Sequence, residues 1–136
     1  MRLLAILASV FISINLVACG GSAQEGGSEG QIAKNVDATQ FHQLYTEKGG
    51  QMLDVRTDGE VAQGYITGAV QIDFYGDDFD KKVAELDKDK PVFVYCAAGG
   101  RSGQAMNKMK DMGFKEVYNL SGGFPTWASA GYEVLK

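Results

Sequence analysis

Pro91-Val92-Phe93-Val94-Tyr95-Cys96-Ala97-Ala98-Gly99-Gly100-Arg101 is the stretch on which the reading of this chain turns. Its first half is β-branched and aromatic without a polar break. That composition suits a strand buried on both faces, as at the centre of a parallel sheet. Its second half is small and glycine-bearing, so the backbone there can curl with its N–H groups pointing inward. A helix is expected from near Ser102, with Ala105, Met109 and Met112 as its inner stripe and Gly113 as its stop. The methionines of that stripe are core, not metal ligands.

The same alternation extends in both directions. Downstream, Val117-Tyr118-Asn119-Leu120 reads as a short strand, Gly122 to Ala130 as a final helix and Tyr132-Glu133-Val134 as a closing edge segment. Upstream, Ile32 to Val36 is a strand candidate. Asp37 and Gln40 form a capping pair opening a helix whose apolar side holds Phe41, Leu44 and Tyr45, ended by Gly49-Gly50. Met52 to Arg56 and Ala69 to Ile72 are strands, separated by a Gly64 to Gly68 turn. A helix over Asp78 to Leu86 presents Phe79, Val83 and Leu86 on one face. Strands alternating with helices predict an α/β fold: a small domain with a central, mostly parallel five-stranded sheet flanked by helices on both faces.

Residues 1–31 have a different character. Met1-Arg2 precedes an apolar run from Leu3 to Val17, broken only by Ser9, Ser13 and Asn15, and closing on Leu16-Val17-Ala18-Cys19. The run is short for a membrane-spanning helix and right for the core of a secretory signal. Small residues before a cysteine resemble the lipobox of bacterial lipoproteins, which implies cleavage before Cys19 and lipidation of its thiol. An uncleaved anchor with an incidental cysteine is the alternative. Five of the eleven residues from Gly20 to Gly30 are glycine and none is large and apolar, the composition of a tether. Its reach is on the order of 20 Å. The organisation expected is therefore a signal peptide over 1–18, a lipidated Cys19 with its tether over 19–31, and one domain over 32–136. Acyl chains on Cys19 would hold that domain to a membrane in the cell envelope, facing the periplasm.

The 136 residues leave room for one core, and the net charge of −4 with no lysine–arginine cluster argues against nucleic acid as a partner. The two cysteines are Cys19 and Cys96. If lipid takes Cys19, Cys96 has no disulfide partner. A lone thiol in an exported protein is either packing or chemistry. Its position favours chemistry, because ligands of open α/β sheets bind beyond the carboxyl ends of the strands. The helix terminus behind the loop adds partial positive charge and Arg101 a full one, and both stabilise a thiolate or an anion beyond it. One histidine, His42, lies on a predicted helix far from this loop, and it cannot build a metal site with one free cysteine. No metal or other cofactor is expected.

These residues resemble the rhodanese family of sulfurtransferases. Cys96 to Arg101, followed by Ser102, is similar to that family's six-residue loop C-x-x-G-x-R. Asp54-Val55-Arg56 resembles its D-V-R signature, with Glu60 where a Glu usually follows. Gly64-Tyr65-Ile66-Thr67-Gly68-Ala69 resembles G-H-I-x-G-A with Tyr65 in place of His, and Gly122-Gly123 with Trp127 resembles G-G-x-x-x-W. The four motifs stand in order over about 32–134. The resemblance implies catalysis by Cys96 and Arg101, with Ala97, Ala98, Gly99, Gly100 and Ser102 forming the loop that binds substrate and persulfide. Asp54 and Arg56 read as a structural pair bracing neighbouring loops, and Trp127 as packing near the loop. The partners implied are a small anionic sulfur donor such as thiosulfate and a thiophilic acceptor: cyanide, a thiol or a protein. Two other readings remain open. A cysteine-dependent phosphatase or arsenate reductase shares this kind of loop, but generally has five residues between Cys and Arg where this chain has four, and no general acid follows here. A non-catalytic or persulfide-sensing envelope module is the other.

Overall fold

The computed structural model of the chain describes residues 30–136, and the fold is built almost entirely from short strand–loop–helix units. The elements are β1 (Ile32–Val36), α1 (Ala38–Lys48), β2 (Gln51–Asp54), α2 (Asp58–Val61), β3 (Tyr65–Ile66), β4 (Val70–Gln71), α3 (Phe79–Ala84), β5 (Val92–Tyr95), α4 (Gly100–Asp111), β6 (Glu116–Leu120), α5 (Phe124–Ser129) and β7 (Val134–Leu135). Asp37 caps α1 as its spacing predicts: its Oδ1 accepts from the Gln40 N–H at 2.8 Å.

Five strands form one sheet in the order β1-β6-β5-β2-β4, and every pairing in it is parallel. All five therefore release their loops at the same edge, with β5 in the middle. Alternation along β5 feeds both layers of the core. Val92, Val94 and then Cys96 join Ala105, Met106 and Met109 of α4 and Phe79 and Val83 of α3 on one face. Phe93 and Tyr95 join Phe41 of α1 and Trp127 of α5 on the other. Phe93 sits edge-on to Phe41 at 5.4 Å between centroids and stacks on Tyr118 at 5.1 Å. The α/β reading, with a central parallel five-stranded sheet and helices on both faces, describes the molecule.

Several boundaries differ from those read in the sequence, each for a local reason. α4 begins at Gly100 rather than near Ser102, because Gly99 takes φ +97° and turns the chain straight into the helix. Asp58 to Val61 makes a helical turn not expected, started by Thr57, whose N–H and hydroxyl both donate to Glu60 Oε2 at 3.0 and 2.9 Å. Tyr65 and Ile66, expected within a turn, are extended as β3. They pair antiparallel with β7, so the closing segment joins this ribbon and not the main sheet. Val55 and Arg56 lie beyond β2, although Val55 N–H still reaches Tyr95 O at 3.1 Å. No helix among the described residues is long and apolar enough to cross a membrane. The expected signal peptide, the expected lipidation point Cys19 and nearly all of the expected tether fall outside the described residues.

Candidate active site

The loop after β5 is held from three sides before any chemistry is considered. From α5, the Phe124 N–H donates to Cys96 O at 2.8 Å, so the helix start is seated on the cysteine's own carbonyl. Gly123, at φ +70°, lies so close that a Cβ there would stand 2.5 Å from Cys96 O and Ala97 C. From β6, the buried Asn119 donates through Nδ2 to Gly99 O at 3.2 Å and to Asn35 Oδ1 at 2.8 Å. From α4, the Gly103 N–H donates to Gly99 O at 3.0 Å.

Inside this frame the Cys96 sulfur is a hydrogen-bond acceptor. The Gly99 N–H reaches it at 3.0 Å and the Ser102 hydroxyl at 3.2 Å. Cys96 is only 1% exposed and Ser102 fully buried. Burial alone would push the thiol up, since a charge is costly away from water. The Ser102 hydroxyl and the backbone N–H groups of Ser102, Ala98 and Gly99 outweigh it and hold the thiol below its ordinary value. The start of α4 lies behind the same sulfur, so its dipole acts in the same sense. The donors around Cys96 favour negative charge on its sulfur over what a free thiol would carry.

Arg101 lies in the first turn of α4, and its guanidinium is engaged by Glu60. Nη2 donates to Oε1 at 2.6 Å and Nη1 to Oε2 at 2.8 Å, the two-pronged arrangement that arginine forms with a carboxylate. Arg101 holds the Glu60 carboxyl down at about 2. The Arg101 guanidinium carbon lies 5.6 Å from the centroid of the Tyr75 ring, which extends from the loop after β4. The spacing C-x-x-G-x-R located Arg101 but carried no information on its partner. Glu60 is four residues beyond Arg56 in sequence and 41 before Arg101.

Asp54 and Arg56 form an ion pair, 2.7 Å between Oδ2 and Nη2, with side chains 1% and 4% exposed. Arg56 also donates to Gly64 O at 2.7 Å and lies 4.3 Å from the Phe124 ring centroid. The pair thus ties the end of β2 to the approach to β3 and to α5, behind the loop. Trp127 is buried on Phe41, and its Nε1 donates to Glu133 O at 2.9 Å. His42 is nearer these motifs than its place on α1 suggests: its ring stacks on Tyr132 at 4.0 Å and lies 5.5 Å from Trp127. The sequence reading passed over Asn119, although a polar residue inside the apolar run 117–120 is a visible signal. Among the described residues no group of three or more His, Cys, Asp or Glu is arranged to hold a metal.

With this geometry in place, the likeness to known proteins is extensive. The family model for the rhodanese-like domain matches residues 37–130, a span containing the Cys96 loop and all three accompanying motifs. The chain is 36% identical over 84 residues to a sulfurtransferase of Allochromatium vinosum, covering 62% of this chain and 77% of that one. It is 30% identical over 97 residues to the thiosulfate sulfurtransferase GlpE of Shewanella oneidensis, covering 71% of this chain and 94% of that one. A crystal structure of a rhodanese-like domain protein from Staphylococcus aureus matches with a TM-score of 0.64 at 29% identity, over 76% of this chain and 99% of its own. A parallel sheet, a Cys-headed loop at its central strand and a match over most of the chain lead to one conclusion: the chain belongs to the rhodanese-like domain family.

Proposed function

We propose that the protein is a sulfurtransferase that moves a sulfane sulfur from thiosulfate or a similar donor to a thiophilic acceptor through a persulfide on Cys96. The observation that carries this reading is the Cys96 sulfur itself, which accepts hydrogen bonds from the Gly99 N–H and the Ser102 hydroxyl. Donors aimed at sulfur keep it ionised as a nucleophile and then hold the anion that replaces it.

In the first half-reaction the Cys96 thiolate attacks the outer sulfur of the donor. A sulfur–sulfur bond forms to Cys96, the donor's own sulfur–sulfur bond breaks, and sulfite leaves with the electron pair. In the second, cyanide or a thiolate attacks the outer persulfide sulfur and the Cys96 thiolate departs. Neither half needs a proton delivered to the leaving group, which suits a loop whose groups around sulfur are donors only. On this reading Ser102, through its hydroxyl, and the backbone of Ala97 to Gly100 hold the sulfur, and Arg101 stands beside the loop to orient an anionic donor. On the same reading Cys19 is the lipid attachment point, which would station the domain at the cell envelope; the Leu16-Val17-Ala18-Cys19 run supports this.

The test is mass spectrometry of the full chain after incubation with thiosulfate and, separately, with other sulfur donors. Cys96 should gain the mass of one sulfur atom, lose it to cyanide, and gain nothing in Cys96→Ser. Absence of that gain with every donor would refute the reading.

A further inference from the structure

On the face of the sheet away from the Cys96 side chain, α1, α5 and the β3–β7 ribbon border a cavity of about 300 Å³. That size is at the lower end of pockets that take small organic ligands. Trp127, Tyr45, His42 and Ile66 give it a largely apolar wall. Each of them is held by contacts of its own, so the cavity is already formed. The Trp127 Nε1 donates to Glu133 O at 2.9 Å, and the Ile66 N–H donates to the Tyr95 hydroxyl at 3.0 Å. Tyr45 sits edge-on to Phe93 at 5.2 Å, and the His42 ring stacks on Tyr132 at 4.0 Å. Two polar side chains, Thr67 and Glu133, also line it.

Strands β3 and β7 pair antiparallel, Tyr65 with Leu135 and Ile66 with Val134. Thr67 and Glu133 are the next two positions in that register, so they face each other where the ribbon ends. The Thr67 hydroxyl is buried and has no hydrogen-bond partner among the described residues, a state that costs stability until a partner is supplied. A threonine hydroxyl changes rotamer about χ1 to meet an incoming donor. The Glu133 carboxylate forms no ion pair among the described residues. It is the only carboxylate on the wall, which holds no lysine or arginine. Aromatic rings beside an unpaired carboxylate favour a cation with an apolar body, because ring faces and carboxylate attract the same charge. An unsatisfied hydroxyl opposite that carboxylate favours a cation carrying N–H donors. We propose that this cavity is a second binding site, and that it takes a small organic ammonium ion. The apolar body lies against Trp127 and Tyr45, and the N–H groups are shared between Glu133 and Thr67. The site is separate from the Cys96 loop and does not depend on the sulfurtransferase reading.

Trp127 is the only tryptophan of the chain, so its fluorescence reports on the cavity directly. The full chain is titrated with phenethylammonium, phenylethanol and phenylpropionate, which share one body and differ in charge. A range up to about 20 mM covers the millimolar Kd that ligands of this size reach. Phenethylammonium should give a saturating change and bind about three- to fivefold more tightly than the alcohol, the scale of an ion pair open to water. Phenylpropionate should bind more weakly than either. Glu133→Gln, at an exposed position, should remove the preference for the ammonium and leave the alcohol within about twofold of its parent value. Glu133→Lys should reverse the order of the two ions. No saturating change with any of the three ligands overturns the proposal. So does an alcohol or carboxylate that binds the parent as tightly as the ammonium, or an order of ions that Glu133→Lys leaves unmoved. None of these outcomes bears on sulfur loading of Cys96, which is read separately by mass.

Discussion

Replacing Ser102 by alanine removes one hydrogen bond to the Cys96 sulfur, at 3.2 Å, and leaves the Gly99 N–H in place. Both side chains are shielded from water, so the loss is not made good by solvent. A hydrogen bond to a charged group contributes about 1.5–3 kcal/mol, and one pKa unit corresponds to about 1.4 kcal/mol. The Cys96 midpoint should therefore rise by about one to two units in Ser102→Ala. The sign follows from which form is held: the hydroxyl donates to the thiolate, so its removal favours the protonated thiol. Well below the midpoint, each unit of rise cuts the thiolate population about tenfold. The more basic thiolate is intrinsically more nucleophilic, so the net loss in alkylation rate is about three- to fourfold per unit. Above both midpoints the order reverses and the variant reacts faster. The assay is the pH dependence of iodoacetamide alkylation, read from the mass of the peptide carrying Cys96, with circular dichroism confirming that the variant is folded. A midpoint within about 0.3 unit of the parent, equivalent to under about 0.5 kcal/mol, would refute the argument that Ser102 holds the thiolate.

Asp54→Ala should destabilise the domain by about 3–5 kcal/mol, because it leaves the Arg56 guanidinium buried without its carboxylate. Chemical denaturation measures the loss, and a change below about 1 kcal/mol would mean that the pair contributes nothing beyond an exposed bridge. Gly123→Ala puts a Cβ 2.5 Å from the Cys96 carbonyl at a positive φ, so it should cost more than about 1 kcal/mol and alter Cys96 alkylation together with stability. Gly100→Ala meets open space at an ordinary helical φ and should hold or gain stability, by up to about 1 kcal/mol; equal losses for the two glycines would refute the close-approach argument. Cys19→Ser should release the protein from membranes on cell fractionation, and retention would favour an uncleaved anchor.

Local physics made the core of this protein legible from its residues. Pro91 to Tyr95 suited a deeply buried strand, realised as Val92–Tyr95, the glycines after Cys96 suited a tight loop, and the alternation of strands and helices pointed to a mostly parallel sheet. Each of these depends on neighbours in sequence, so sequence carries them. The pairing of Asp54 with Arg56 was readable for the same reason, two residues apart at a strand end. The contacts that set the site's charge are not local. Glu60 meets Arg101 across 41 positions because β2 and β5 lie side by side in the sheet. Asn119 braces Gly99 because β6 flanks β5 on the other side. Tyr75 reaches the Arg101 guanidinium because the loop after β4 opens at the same edge. The sequence by itself placed Cys96 at the end of a buried strand, at the head of a glycine-bearing loop whose N–H groups favour negative charge on its sulfur. Only the tertiary structure decided that the cation beside it is already neutralised, because strand order, and not spacing along the chain, brings a carboxylate to Arg101.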